Sequence, residues 1–221
     1  MNDAPTARSR YNHTAWFYEP LAALYSCCKI RASKFYQIDY MRPGQKVLYA
    51  GVGCGEDAIE AARRGMDVTC IDLSSGMLAR VEKKRRRAGV ALELICGDLM
   101  EHTRLGQYDV VCANYFLNVF TPEVMETVLR HLRGLLKPGG RLMIADFAAP
   151  QGGLPFRAAL VLYYRIANVF YWLLSRSNLH PIYDYAKLVP RFGFQVEKLA
   201  LHPLFPGGPR FFQTLITRQT G

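Results

Sequence analysis

Residues 46–57, Lys-Val-Leu-Tyr-Ala-Gly-Val-Gly-Cys-Gly-Glu-Asp, decide how the rest of the chain is read. Lys46 to Ala50 is a short apolar run of the kind a buried strand needs. Gly51, Gly53 and Gly55 follow as a G-x-G-x-G turn, where glycine permits positive φ and close approach of a ligand to the backbone. The next helix, expected over Ala58 to Gly65, points its first free N–H groups and about half a positive charge at that turn.

A glycine turn between strand and helix suggests a dinucleotide or a phosphate first. Two residues argue against both. A dinucleotide site wants a third small residue at position 56, and a phosphate loop wants Lys followed by Ser or Thr; Glu56 and Asp57 stand there instead. Two carboxylates at a helix N-terminus repel a pyrophosphate. A phosphate-free nucleoside with a cationic end fits better, and S-adenosylmethionine has that character. A purely structural tight turn is the competing reading.

Working outward, Asp67 to Asp72 reads as a second parallel strand, and Asp72 closes it 17 residues past Gly55. A carboxylate there can accept both protons of a ribose diol, while Ser74 or Ser75 caps the next helix. That helix ends in Lys83-Lys84-Arg85-Arg86-Arg87, which its dipole alone explains. Ala91 to Cys96 reads as a third strand, with Asp98, Leu99 and Met100 behind it to meet an adenine amino group and ring. Tyr108 to Asn114 is a fourth strand, and its following loop, Tyr115 to Phe120, is where an open α/β sheet receives substrate. Thr121-Pro122-Glu123 starts a helix that runs to Leu136, and Arg141 to Phe147 makes the fifth strand.

Five βα repeats with short loops imply a doubly wound sheet. The 221 residues suffice for one domain of this class, and half are hydrophobic, as in ordinary globular chains. Six cysteines lie mostly in apolar runs without zinc spacing, so reduced core thiols are expected and no metal. The formal charge of +10 admits nucleic acid, an anionic membrane surface or a solvated basic face.

The runs "VLYAGVGCGEDA", "CIDLSSGML", "GDL", "YDVVCANYFLNVF" and "LLKPGGRLMIADF" resemble, in order and spacing, the successive motifs of class I S-adenosylmethionine-dependent methyltransferases. The resemblance covers roughly residues 43–147. The opening "YNHTAWFYEPLAALY" and the "DFAAP" after strand five are similar to the branch that C-methylates ubiquinone and menaquinone precursors.

The resemblance implies a Rossmann-like seven-stranded sheet, mostly parallel with its last strand antiparallel. An N-terminal helix and an aromatic helical insertion after strand five would be added to it. A single domain is expected over 1–221: a helical lid at 1–42, a cofactor core at 43–147, a substrate-side insertion at 148–192 and a terminal strand pair at 193–221. Gly51, Gly53 and Gly55 would line the methionine part of the cofactor, Asp72 the ribose, Asp98 the adenine amino group and Leu99 the ring. Leu73, Met77 and Asn114 complete that set, with Asn114 beside the methionine portion. Tyr49 is counted among the cofactor-binding residues by its place in the first motif, where the family usually has an acid, although tyrosine supplies no carboxylate at neutral pH. Glu56 or Asp57 could replace that charge, or the site could serve another use.

Beyond strand five, Ala158 to Leu174 is apolar and aromatic but interrupted by Arg165 and Asn168, too short and polar for a membrane span. It reads as a buried helix, an apolar substrate pocket or a face resting on a membrane. Tyr183 to Phe192, Gln195 to Leu201 and Phe211 to Thr217 read as a helix and a final strand pair.

Methyl transfer to carbon or oxygen needs a proton acceptor. The candidates are His13 in the lid, Asp146 at the end of strand five and Tyr115, with His180 behind them. A small apolar or aromatic acceptor, quinone-like or lipid-like, is the expected partner in a cytoplasmic monomer or homodimer, with peripheral membrane contact open. Phospholipid or small-amine N-methylation and a cofactor-binding protein with altered chemistry are the alternatives. A nucleic-acid enzyme is disfavoured, because Asn114-Tyr115-Phe116-Leu117 is not the Asn/Asp-Pro-Pro-aromatic of amino-methylating base flippers.

Overall fold

The structure, a computed structural model, describes residues 29–149, 157, 161, 162, 164, 182–205 and 208–220. His13, His180, the aromatic cluster at 11–20 and most of the 158–174 run lie outside the described residues.

The strands are β1 (Lys46–Ala50), β2 (Asp67–Asp72), β3 (Glu93–Cys96), β4 (Tyr108–Asn114), β5 (Leu136–Phe147), β6 (Phe194–Pro203) and β7 (Arg210–Gln219). They form one seven-stranded sheet in the order β3-β2-β1-β4-β5-β7-β6. Neighbours among β1 to β5 pair in parallel, and β7 runs antiparallel to both β5 and β6. The expected Rossmann-like sheet with its antiparallel last strand is therefore present. Strand order reverses between β1 and β4, and a crevice for ligand opens at such a switch point beyond the carboxyl ends of the strands.

Alternation along β1 sorts the two faces. Leu48 and Ala50 join Val111, Ala113, Leu142 and Ile144 under α4 (Pro122–Leu135) and α5 (Tyr185–Leu188). Val47 and Tyr49 join Val68, Cys70, Val110 and Cys112 under α2 (Glu56–Arg63) and α3 (Ser75–Ala88). On that second face the chain enters through α1 (Lys29–Phe35) and a 3-10 turn, Tyr36–Tyr40, whose Ile38 is fully buried. Both faces of the parallel strands are covered, so the strands read as continuous apolar runs.

The helices start and stop where local chemistry tells them to. Ser74 caps α3 by accepting from Met77 N at 3.2 Å, Arg85 to Arg87 fill its last turn, and Gly89 closes it in the left-handed region. α4 begins on Thr121 and Pro122, as the sequence indicates.

Two elements differ most from expectation. β5 starts at Leu136, not Arg141, because Leu136 pairs with Tyr108 before the register shifts through Lys137-Pro138-Gly139-Gly140. The expected helix over Tyr183 to Phe192 shortens to Tyr185–Leu188 and continues as a 3-10 turn, Val189–Phe192, where Pro190 has no N–H to give.

Candidate functional site

The three turn glycines all have positive φ, at 65°, 54° and 66°, but for different reasons of space. A Cβ on Gly51 would stand 2.3 Å from the Phe116 ring, and one on Gly55 would stand 2.7 Å from a Val81 methyl. Gly53 has nothing within 4 Å, so its outer side is open. Gly97, at the end of β3, is equally open.

Asp72 ties this turn to the next one. One carboxylate oxygen accepts from Gly53 N at 3.1 Å and the other from Ser74 N at 2.8 Å. Burial pushes its pKa up, against the downward pull of those two N–H groups. A carboxylate has about four lone-pair sites, so both oxygens keep capacity for the hydroxyls of a diol. Asp72 pairs with Cys96 across β2 and β3, which sets it beside the Gly97-Asp98 corner.

Asp98 is exposed and caps a 3-10 turn, Leu99–Glu101, by accepting from Met100 N at 2.9 Å. The exposed apolar surface on this side belongs to Leu73 (50%) and Met100 (40%). Leu99, expected against the ring, is turned into the core with Leu48 and Ile71, because successive side chains of a tight turn diverge. Met77 is likewise buried in α3.

Tyr49 is corrected outright as a ligand-facing residue. Its ring lies in the core at 2% exposure, and its hydroxyl donates to the Asp57 carbonyl at 3.3 Å. Burial raises its pKa far above the ordinary phenol range, so it supplies no charge.

The end of β4 carries a buried polar cluster. Asn114 Nδ2 donates to Asp57 Oδ2 at 2.9 Å, and Asn114 Oδ1 accepts from Gln37 Nε2 at 2.8 Å and from Ala145 N at 3.0 Å. Lys34 Nζ lies 3.9 Å from Asp57 Oδ1. Asp57 Oδ1 and Gln37 Oε1 are buried and without hydrogen-bond partners. Glu56, the other first-turn acid, is half exposed and pairs with Arg31 and Lys84 at 3.3 and 3.6 Å. Gln37 and Lys34 were not picked out from the sequence, where nothing links them to Asn114.

Tyr115 is the one non-glycine with positive φ among the described residues, at 51°. A bulky residue pays roughly 1–2 kcal/mol for that conformation. Its N–H donates to Ala145 O at 2.8 Å, its hydroxyl meets Ser33 Oγ at 2.8 Å, and its ring stands edge-on to Phe147 with centroids 5.4 Å apart. Phe147 also stacks edge-on with Tyr164 and Phe211, at 5.0 and 5.6 Å, so an aromatic wall lines the end of β5.

Asp146 sits behind that wall at 1% exposure. It accepts from Tyr185 Oη at 2.6 Å, Asn118 Nδ2 at 2.9 Å and Phe147 N at 2.7 Å. Burial lifts its carboxyl to about 7, although all three donors pull it down. It is walled off by its own partners, so the geometry gives it a positioning role on Asn118 and Tyr185.

The shift has a sign. An unfolded Asp titrates near 3.9. Between roughly pH 4 and 7 the folded chain therefore holds a proton the unfolded chain has lost, and stability declines across that window. Asp146→Asn should remove this decline. Its urea midpoint relative to the parent should rise from pH 4.5 to 7.5, two pH values set about the shifted pKa. A constant difference would contradict the shifted carboxyl.

Among the described residues no group of His, Cys, Asp and Glu could hold a metal ion, and no helix is long and apolar enough to cross a membrane. A depression lined by Arg63, Asp67 and Ala88 lies at the opposite end of β2 from Asp72.

Residues 47–140 match a family model described as a methyltransferase domain. A demethylmenaquinone methyltransferase of Beutenbergia cavernae is 36% identical over 126 residues, which are 55% of this chain and 48% of that protein. The demethylmenaquinone methyltransferase of Renibacterium salmoninarum is 36% identical over 144 residues, 63% of this chain and 55% of that protein. The chain spans about half the length of these curated relatives. The solved magnesium protoporphyrin IX methyltransferase of Synechocystis, with bound S-adenosylhomocysteine, has a TM-score of 0.71 at 19% identity, over 96% of this chain and 98% of that one. That likeness is one of fold.

Proposed function

We propose that the chain, whose residues 47–140 match a methyltransferase domain, is a class I S-adenosylmethionine-dependent enzyme that methylates a small, largely apolar or aromatic acceptor of the quinone-like class. The observation that carries this reading is the open face of Gly53, bounded by the Asp72 carboxylate and by acids where a phosphate would need cations. The residues present fit the cofactor: a cradle that a Cβ would fill, a carboxylate with spare acceptor capacity, and exposed apolar side chains at the adenine end.

In this reading Asp72 accepts from the ribose hydroxyls, Asp98 from the adenine amino group, and Leu73 and Met100 cover the faces of the base. The turn backbone at Gly51 and Gly53 lies along the thioether portion. The cofactor supplies a methyl group already activated on a sulfonium, so the chain's work is alignment and exclusion of water. Tyr115, Phe147, Tyr164 and Phe211 form an apolar wall suited to a flat ring. Asn118 is held by Asp146 behind that wall. His13, from the segment ahead of α1, remains the proposed proton acceptor. The quinone-like acceptor is supported by the demethylmenaquinone methyltransferase relatives and by the aromatic wall. A cytoplasmic protein that meets its acceptor's apolar tail at a membrane surface accords with the +10 charge.

The test is direct. Purified protein, methyl-labelled cofactor and a prenylated naphthoquinol should give labelled quinol, and less by roughly tenfold or more at sub-saturating cofactor when Asp72 is replaced by Ala. Label moving instead into a phospholipid amine would overturn the acceptor class, and no label in any acceptor offered would overturn the activity.

A further inference from the structure

We propose that Asp57 and Gln37 bind the α-ammonium of the cofactor's amino-acid end and Lys34 its carboxylate, the acid missing at position 49 being carried instead by the first turn of α2. This deepens the proposed function and rests on it.

Two buried acceptors have no donor. Asp57 Oδ1 and Gln37 Oε1 lack hydrogen-bond partners, and the two residues are 2% and 0% exposed. Leaving a buried polar atom unsatisfied costs about 1–3 kcal/mol, more for a charged group, and few native atoms bear it. What is lacking at both positions is a donor. Their other atoms are fixed on one amide: Asn114 Nδ2 donates to Asp57 Oδ2, and Asn114 Oδ1 accepts from Gln37 Nε2. Asn114 is itself pinned by Ala145 N. The two free oxygens are thus carried by groups flanking one rigid side chain at the end of β4, beside the glycine turn.

Charge narrows the ligand. A primary ammonium has three donors, enough for both oxygens at once. Lys34, 3.9 Å from Asp57 Oδ1, balances the carboxylate loosely and could turn to an anionic group of the same ligand. A zwitterionic amino-acid head supplies both signs. Glu56 is excluded as the substitute acid, since it is half exposed and shared between Arg31 and Lys84. Tyr49 explains why an acid is needed elsewhere: its ring fills the core and its hydroxyl is spent on the Asp57 carbonyl.

Calorimetry on the full chain with two nucleosides tests the assignment. S-adenosylhomocysteine has the amino-acid head, and 5′-methylthioadenosine lacks it. The parent should prefer the first by roughly tenfold or more, the scale of one charge-assisted hydrogen bond. Asp57→Asn should abolish most of that preference by weakening S-adenosylhomocysteine alone, and Glu56→Gln should leave it intact. Should Asp57→Asn fail to fold, Gln37→Met reads the second acceptor and should lower the preference by about threefold or more. Equal weakening of both nucleosides, or loss of preference in Glu56→Gln instead, would overturn the assignment. Binding of both nucleosides without preference would sink it while sparing the proposed function. Binding of neither would sink both.

Discussion

Gly55→Ala is expected to destabilise the fold by about 2–5 kcal/mol, summing roughly 1–2 for a left-handed non-glycine and 1–3 for overpacking. The new methyl would stand 2.7 Å from one Val81 methyl and 3.0 Å from the other. Val81 is fully buried and β-branched, so its χ1 is strongly held to one rotamer in the helix and it yields little. Gly53→Ala is the matched comparison, with φ at 54° but nothing within 4 Å. It should cost only the backbone share, about 1–2 kcal/mol, while placing a methyl where the nucleoside would lie. Urea unfolding should rank Gly55→Ala well below Gly53→Ala in stability, and nucleoside affinity should fall in Gly53→Ala despite its milder unfolding. Equal midpoints would show that α3 does not press on the turn.

The second large effect belongs to Asp72. Its replacement by Ala should weaken S-adenosylhomocysteine roughly tenfold to a hundredfold, taking about 1.5–3 kcal/mol for a hydrogen bond to a charged group. Two consequences run together. The ribose loses its acceptor, and the Gly53 and Ser74 amides lose the carboxylate that shapes the turn before any ligand arrives. Stability should move far less than affinity, because the ionised carboxyl is itself disfavoured by burial in the free protein. Affinity within about twofold of the parent would remove Asp72 from the site.

β1, β2 and β4 were legible to the residue because each is an apolar run cut sharply by glycine or by a charged or amide residue. β3 was read two residues too long, since an edge strand with half-exposed side chains carries little pattern. Asp72 was legible from its place at a strand end. Gln37 was not: 77 residues separate it from Asn114, and a lone amide in a short helical stretch looks like surface. The choice between Leu99 and Met100 turned on the phase of a three-residue 3-10 turn, which no periodicity reports. Which first-turn acid is buried was equally hidden, because Glu56 and Asp57 are adjacent and alike. Only the helix orientation sends Asp57 inward and Glu56 outward.

The positive φ of Tyr115 has a mechanical consequence. Successive side chains leaving a strand normally point to opposite faces, yet Asn114 meets Gln37 while Tyr115 meets Ser33 and lies within 6.0 Å of Lys34. Two adjacent residues therefore grip the same N-terminal segment. A nucleoside bound against Asn114 would favour the gripped state, and by mass action would slow local opening of residues 29–40. Amide exchange along that segment would then serve as a gauge of occupancy, so cofactor residence and acceptor entry would be governed by one latch.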